Sequence, residues 1–141
     1  MLRSLAMLIG MFALSACAPD APPAAPEAAA AEVAYSGEVI YLERIALPPG
    51  AQVRVELQDV SRADAPARTI ATQTIDASAG GPPFAFTLTA PRAEVEAAAE
   101  LAIRAIIVAE DRLLFTTDTR IPAPKQGASG IEVRVIGVSP R

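Results

Sequence analysis

Carboxylates, a short run of hydroxyls and one thiol are the groups in this sequence with which chemistry could be done. The 141 residues carry 16 Asp and Glu against 12 Lys and Arg, with one Cys and no His. Without imidazole the usual general base near neutral pH is missing. A single Cys also removes an intrachain disulfide and ordinary zinc ligation. Thr116-Thr117-Asp118-Thr119 sets hydroxyls beside a carboxylate, but no base accompanies them, and Lys125, the sole Lys, falls in an expected loop. A pair such as Asp118 with Glu43 has the groups that glycosidic acid–base catalysis uses, yet nothing in the spacing makes the two converge. Glu110-Asp111 offers too few oxygens for a Ca²⁺ cage. Gly80-Gly81 is flanked by Pro82-Pro83 and lacks the Lys and the helix of a phosphate loop. No enzyme, cofactor, metal or small-molecule substrate is therefore expected. The basic residues form no run, which speaks against a nucleic-acid partner.

Cys17 has a different use. Leu5 to Leu14 is an apolar run of about ten residues behind the single charge of Arg3, the length of a signal-peptide core. A membrane span would need roughly 20. The run ends in Leu14-Ser15-Ala16-Cys17, which resembles the bacterial lipobox: a branched apolar residue, two small residues that suit a narrow peptidase pocket, then the thiol that receives a diacylglyceryl group. Each acyl methylene that enters the bilayer contributes about 0.8 kcal/mol, and stable anchoring takes more than one chain such as palmitate. Residues 1–16 thus read as a lipoprotein signal peptide and Cys17 as the lipidation site. Ala18 follows, with Asp only at position 20. By resemblance to Gram-negative lipoproteins, this predicts outer-membrane sorting with the domain facing the periplasm.

The segment 17–32 is rich in Ala and Pro and has no apolar period. It reads as a disordered tether whose extended stretch of fifteen residues reaches roughly 45 Å. From Val33 to Arg141 the pattern becomes that of one β domain. Val33, Tyr35, Val39 and Tyr41 share a parity in a first strand that includes Glu43-Arg44. Neighbours in a strand point to opposite faces, so that pair reads as a salt bridge or a solvated surface. Val53, Val55 and Leu57 alternate with polar residues. Arg68 to Ala77 is β-branched, but Ile70 and Ile75 have opposite parity, which implies either a bulge or an edge position. The DVSRAD segment, with Asp59, Arg62 and Asp64, reads as turn chemistry. Phe84, Phe86 and Leu88 alternate again. A short helical turn is expected at 92–98, then strands at 100–108 and 112–116 and a last one around Ile131, Val133 and Val135. About seven strands with Pro/Gly turns and no βαβ alternation predict an all-β, antiparallel β-sandwich with one short helical turn.

Ser36-Gly-Glu-Val-Ile-Tyr-Leu-Glu-Arg-Ile-Ala-Leu-Pro-Pro-Gly50, the VRVELQDVSRADAPARTIATQTI segment, Pro83-Phe84-Ala85-Phe86 and Leu113-Leu-Phe-Thr-Thr-Asp-Thr119 together resemble the YbaY/YscW-type lipoproteins, which include the type III secretion pilot lipoproteins. The resemblance covers about residues 36 to 138. It implies a lipid-anchored, periplasm-facing sandwich, and in the pilot branch a domain that binds a secretin subunit and escorts it to the outer membrane. Relatives often carry Gly where this chain has Glu110-Asp111, and the Ala-rich 93–99 stretch is less polar than theirs.

Strands 101–108 and 112–116 are apolar on both faces, so they should be central or covered. Ile106, Val108 and Leu114 are the candidate partner-binding face. The functional expectation is a non-catalytic binding or assembly module that holds an envelope protein such as a secretin. The alternative is a structural lipoprotein that binds peptidoglycan or another surface polymer, with Tyr35 and Tyr41 as the only aromatic platforms.

Overall fold

A computed structural model describes residues 31–78 and 80–138. The expected signal peptide, Cys17 and nearly all of the tether lie outside these residues. Among those described, nine strands and one short helix follow in the order β1 (Glu32–Ile40), β2 (Gln52–Asp59), β3 (Arg68–Asp76), β4 (Phe84–Pro91), α1 (Arg92–Ala97), β5 (Leu101–Ala109), β6 (Arg112–Thr116), β7 (Ile121–Pro122), β8 (Ala128–Arg134) and β9 (Ile136–Gly137).

Two sheets enclose the core. One has three strands in the order β4-β1-β8; the other has six, in the order β3-β2-β5-β6-β9 with β7 paired to β5. The fold is all-β, as the alternating runs require. Two features were not legible in the sequence. β1 and β8 run parallel, whereas the other ladders are antiparallel. The strand count also exceeds seven because β7 and β9 are two-residue pieces with no period to detect.

Alternation decides the faces. In β4, Phe84, Phe86, Leu88 and Ala90 are buried while every second residue is exposed. In β1 and at the residue just beyond it, the parity row Val33, Tyr35, Val39 and Tyr41 points inward, and Gly37 interrupts it where β8 comes closest. A Cβ on Gly37 would lie 1.9 Å from the Ile131 carbonyl oxygen, so the parallel pairing needs glycine there. β5 sits between β2 and β6, as expected of a strand apolar on both faces; Ile103, Ala105 and Ile107 fill the interior. The two alternatives for Ile70 both hold. β3 is an edge strand, and Ile70 is the extra residue where Leu57 pairs with Ala71 but Gln58 with Thr69.

Helix and turns follow local chemistry. Pro91 stands just before α1 and only Val95 of the helix is buried. Asp59 accepts hydrogen bonds from the Ser61 N–H (3.0 Å) and hydroxyl, and Asp76 does the same with Ser78. These Asp-x-Ser turns close β2 and β3 and hold both carboxyls below the usual range, chiefly through the serine hydroxyls. The Ser61 Oγ in turn accepts the N–H groups of Ala99 and Glu100. DVSRAD is thus a structural brace, as its turn chemistry indicated.

Candidate functional site

β1 ends at Ile40, earlier than the sequence suggests, and Tyr41 to Gly50 becomes a loop that crosses one end of the sandwich. Glu43-Arg44 therefore lies in this loop and not in the first strand. Strand pairing cannot continue here because the chain must turn at Pro48-Pro49-Gly50. Two side chains fix the loop instead. The Tyr41 ring is buried against Phe115, with ring centres 4.8 Å apart, and its hydroxyl donates to the Ile45 carbonyl at 3.2 Å. Glu43 accepts the Gly137 N–H at 3.0 Å and the Leu42 N–H at 3.1 Å. The bond from Gly137 is the main reason that the Glu43 carboxyl sits below its ordinary pKa.

Between this loop and the β6–β9 edge lies a cleft of about 430 Å³. Ile45, Leu47 and Pro48 line one side; Leu113, Leu114 and Phe115 line the other, and Val138 closes the end. Ile45 is 57% exposed, Leu113 41% and Val138 40%. Leu42, in the same loop, is 63% exposed. These four are the exposed large hydrophobic residues among those described, so apolar surface is concentrated at one end of the domain.

The candidate face at Ile106, Val108 and Leu114 is not one surface. Ile106 and Val108 are half-buried on the outer face of β5. The β5–β6 register pairs Ile107 with Phe115 and Val108 with Leu113, which leaves Leu114 unpaired in a bulge, packed against the core. Leu114 lines the cleft; Ile106 and Val108 do not. The bulge separates them, and strand parity alone cannot show a bulge. Ile45, Leu113 and Val138 were missed. For Ile45 the readable signal was an apolar residue shortly before the Pro48-Pro49-Gly50 turn; Leu113 and Val138 gave none.

The other chemical candidates are placed apart or already occupied. Thr117 Oγ1 accepts the Ala105 N–H and donates to the Ala105 carbonyl, both at 2.8 Å, standing in for a ladder bond to β5 in the gap where β6 gives way to β7. Asp118 accepts from the Thr119 hydroxyl at 3.0 Å and lines a depression separate from the one that Glu43 borders. Lys125 donates to the Glu96 carbonyl. Glu110 and Asp111, with φ of 49° and 59°, form the two-residue turn between β5 and β6. Among the described residues no group of three or more His, Cys, Asp or Glu is arranged to hold a metal ion. Tyr35 and Tyr41 are buried in the core, so neither is the aromatic platform that a polymer-binding surface would use. Burial raises the pKa of the Tyr35 phenol, whose hydroxyl donates to the Pro124 carbonyl at 2.9 Å.

Comparison with known proteins places this arrangement. Residues 30–135 match the family model described as type III secretion system lipoprotein chaperone (YscW). The chain is similar to an uncharacterized lipoprotein, YbaY, of Escherichia coli (strain K12), 35% identical over 103 residues, which is 73% of this chain and 54% of that protein. It thus spans about half the length of that relative. Among solved structures it resembles an alternative pilotin from the type II secretion system of Vibrio cholerae. The TM-score is 0.70 at 36% identity, over 77% of this chain and 99% of the pilotin. With an all-β sandwich, an apolar cleft at one end and a family match over most of its length, the chain belongs to the YscW family of secretion lipoprotein chaperones.

Proposed function

We propose that this protein is a non-catalytic assembly module of the bacterial envelope, anchored through Cys17 to the outer membrane and facing the periplasm. Its cleft holds an apolar segment of an envelope protein, of which a secretin subunit is the favoured case, in a pilot-like escort. The observation that carries the reading is the clustering of exposed Ile45, Leu113 and Val138 around one cleft, with exposed Leu42 in the same loop, in a domain whose other large apolar side chains are buried or half-buried. The similarity to a type II pilotin supports the choice of partner. Polymer binding is less favoured because both tyrosines are buried.

The test is photo-crosslinking in cells from a reactive side chain at position 113 of the full chain, with mass spectrometry of what is retained. A single outer-membrane secretin subunit, lost with Ile45→Asp, is the expected result. Recovery only of abundant envelope proteins in proportion to their abundance would overturn the reading. Cys17→Ser is expected to release the protein from membranes, and acyl labelling that persists in that variant would refute the anchor.

A further inference from the structure

The end of the domain opposite the cleft carries a second, chemically different site. Gln58 and Ala102 lie in the outward-facing rows of β2 and β5, yet they are only 9% and 6% exposed. They form part of a depression of about 400 Å³ bordered by Val60, Arg62 and Ala63 on one side and by Thr117 to Arg120 on the other. Three guanidinium groups, Arg62, Arg104 and Arg120, line it against one carboxylate, Asp118. Arg120 is held by Glu100 at 2.8 Å. Among the described residues Arg62 and Arg104 have no ion-pair partner. Glu56 stands opposite Arg104 in the strand register, but its Oε2 accepts the Gln58 amide at 2.7 Å. Asp59 accepts from Ser61 and interacts electrostatically with Arg68 and, more weakly, with Arg62. Arg62, Arg104 and Arg120 are exposed residues lining one small concavity, and guanidinium groups suit a phosphate, which accepts their forked hydrogen bonds.

The position of the depression points to the source of that phosphate. Arg92, at the start of α1, donates its N–H to the Ala31 carbonyl at 2.7 Å, so the helix begins where the chain enters the domain. At the helix exit Glu100 accepts the Val60 N–H at 2.9 Å and pairs with Arg120, both of which line the depression. Ala31, the first described residue, therefore lies at the same end of the domain as the depression, and the cleft lies at the other end.

We propose that this depression binds the headgroup phosphate of an anionic phospholipid and so orients the domain with its apolar cleft directed away from the bilayer. The lipid source rests on the anchoring reading above; the phosphate chemistry rests on the arginines alone. The chain has a net charge of −4, and Asp64, Glu94 and Glu96 lie on neighbouring segments, so binding comes from the site and not from a diffuse basic surface.

The test is isothermal titration of the full mature chain in dodecyl maltoside, whose headgroup carries no phosphate. The probes are inorganic phosphate, dihexanoyl phosphatidylglycerol, dihexanoyl phosphatidylcholine and polyglutamate. Saturable binding of the glycerol lipid is expected, weakened about tenfold in Arg104→Ala and in Arg62→Ala. Arg54→Ala, on the same sheet face but outside the depression, should bind as the parent does. Equal binding of the choline lipid, or an equal loss in Arg54→Ala, would overturn the proposal. Binding of inorganic phosphate through Arg104 without binding of the glycerol lipid would overturn the lipid assignment. Polyglutamate bound in place of either phosphate compound would assign the site to an acidic protein segment instead. Crosslinking from position 113 does not involve these arginines, so failure of either proposal leaves the other readable.

Discussion

The Glu43 carboxylate accepts the backbone N–H of Gly137 at 3.0 Å, across 94 positions of sequence. This bond ties the loop after β1 to the last strand and sets the width of the apolar cleft between them. Glu43→Gln keeps the shape but weakens the bond, because a charged acceptor is the stronger one. Amide exchange at Gly137 is expected to accelerate severalfold in that variant while the thermal midpoint stays nearly unchanged. Exchange that does not change would show that the loop is held by Tyr41 alone.

Acid should act on the same clamp. The Glu43, Asp59 and Asp76 carboxyls all sit below their ordinary pKa in the folded chain. A group whose folded pKa is lowered contributes stability above its unfolded pKa and loses it as pH falls through the folded one. The protein should therefore be steady above about pH 4.5 and lose stability progressively below it. Amides of residues 42–44 and 137 should lose protection before those of β5. A stability that rises on acidification through this range would contradict the assignment.

Leu113 and Ile107 belong to neighbouring strands but differ in exposure, 41% against 0%. Leu113→Asp should leave the unfolding midpoint within a few degrees and abolish partner capture. Ile107→Asp buries an unpaired charge and should cost more than about 4 kcal/mol, which unfolds a domain of ordinary stability. Ile106→Asp, on the outer face of β5, separates two surfaces: retained capture would assign binding to the cleft, and lost capture in a folded variant would return it to the outer face.

Gly37→Ala should destabilise the domain by about 1–3 kcal/mol or more, because the new methyl group meets the Ile131 backbone and neither strand can yield without losing the ladder. Urea unfolding with an unchanged slope would measure it. A neutral effect would mean that β1 and β8 are not paired in this register.

Asp111→Gly should stabilise. Asp111 has φ of 59° in the β5–β6 turn, a conformation that costs an ordinary residue about 1 kcal/mol and glycine almost nothing. A midpoint rise of about 4 °C is expected from calorimetry. No rise would show that the aspartate side chain compensates for its backbone.

Much of the fold was legible because side-chain parity is a local property. Phe84, Phe86, Leu88 and Ala90 announce an inward face without reference to any other strand, and the doubly apolar 101–108 run announces a central strand. Asp59 and Ser61 were readable as a turn for the same reason, since their bonds span two residues. The cleft was not legible in this way. Whether Ile45 and Leu113 are exposed depends on where β1 stops, on the bulge that leaves Leu114 half-buried in the cleft wall and on a bond from Gly137 to Glu43. The parallel pairing of β1 with β8 likewise joins segments that no local period connects. Sequence alone determined the seven longer strands, most of their inward faces and the expectation of an anchor at Cys17. The tertiary structure decided which apolar residues stay in water, because exposure is set by what packs against a residue and not by its own place in a period.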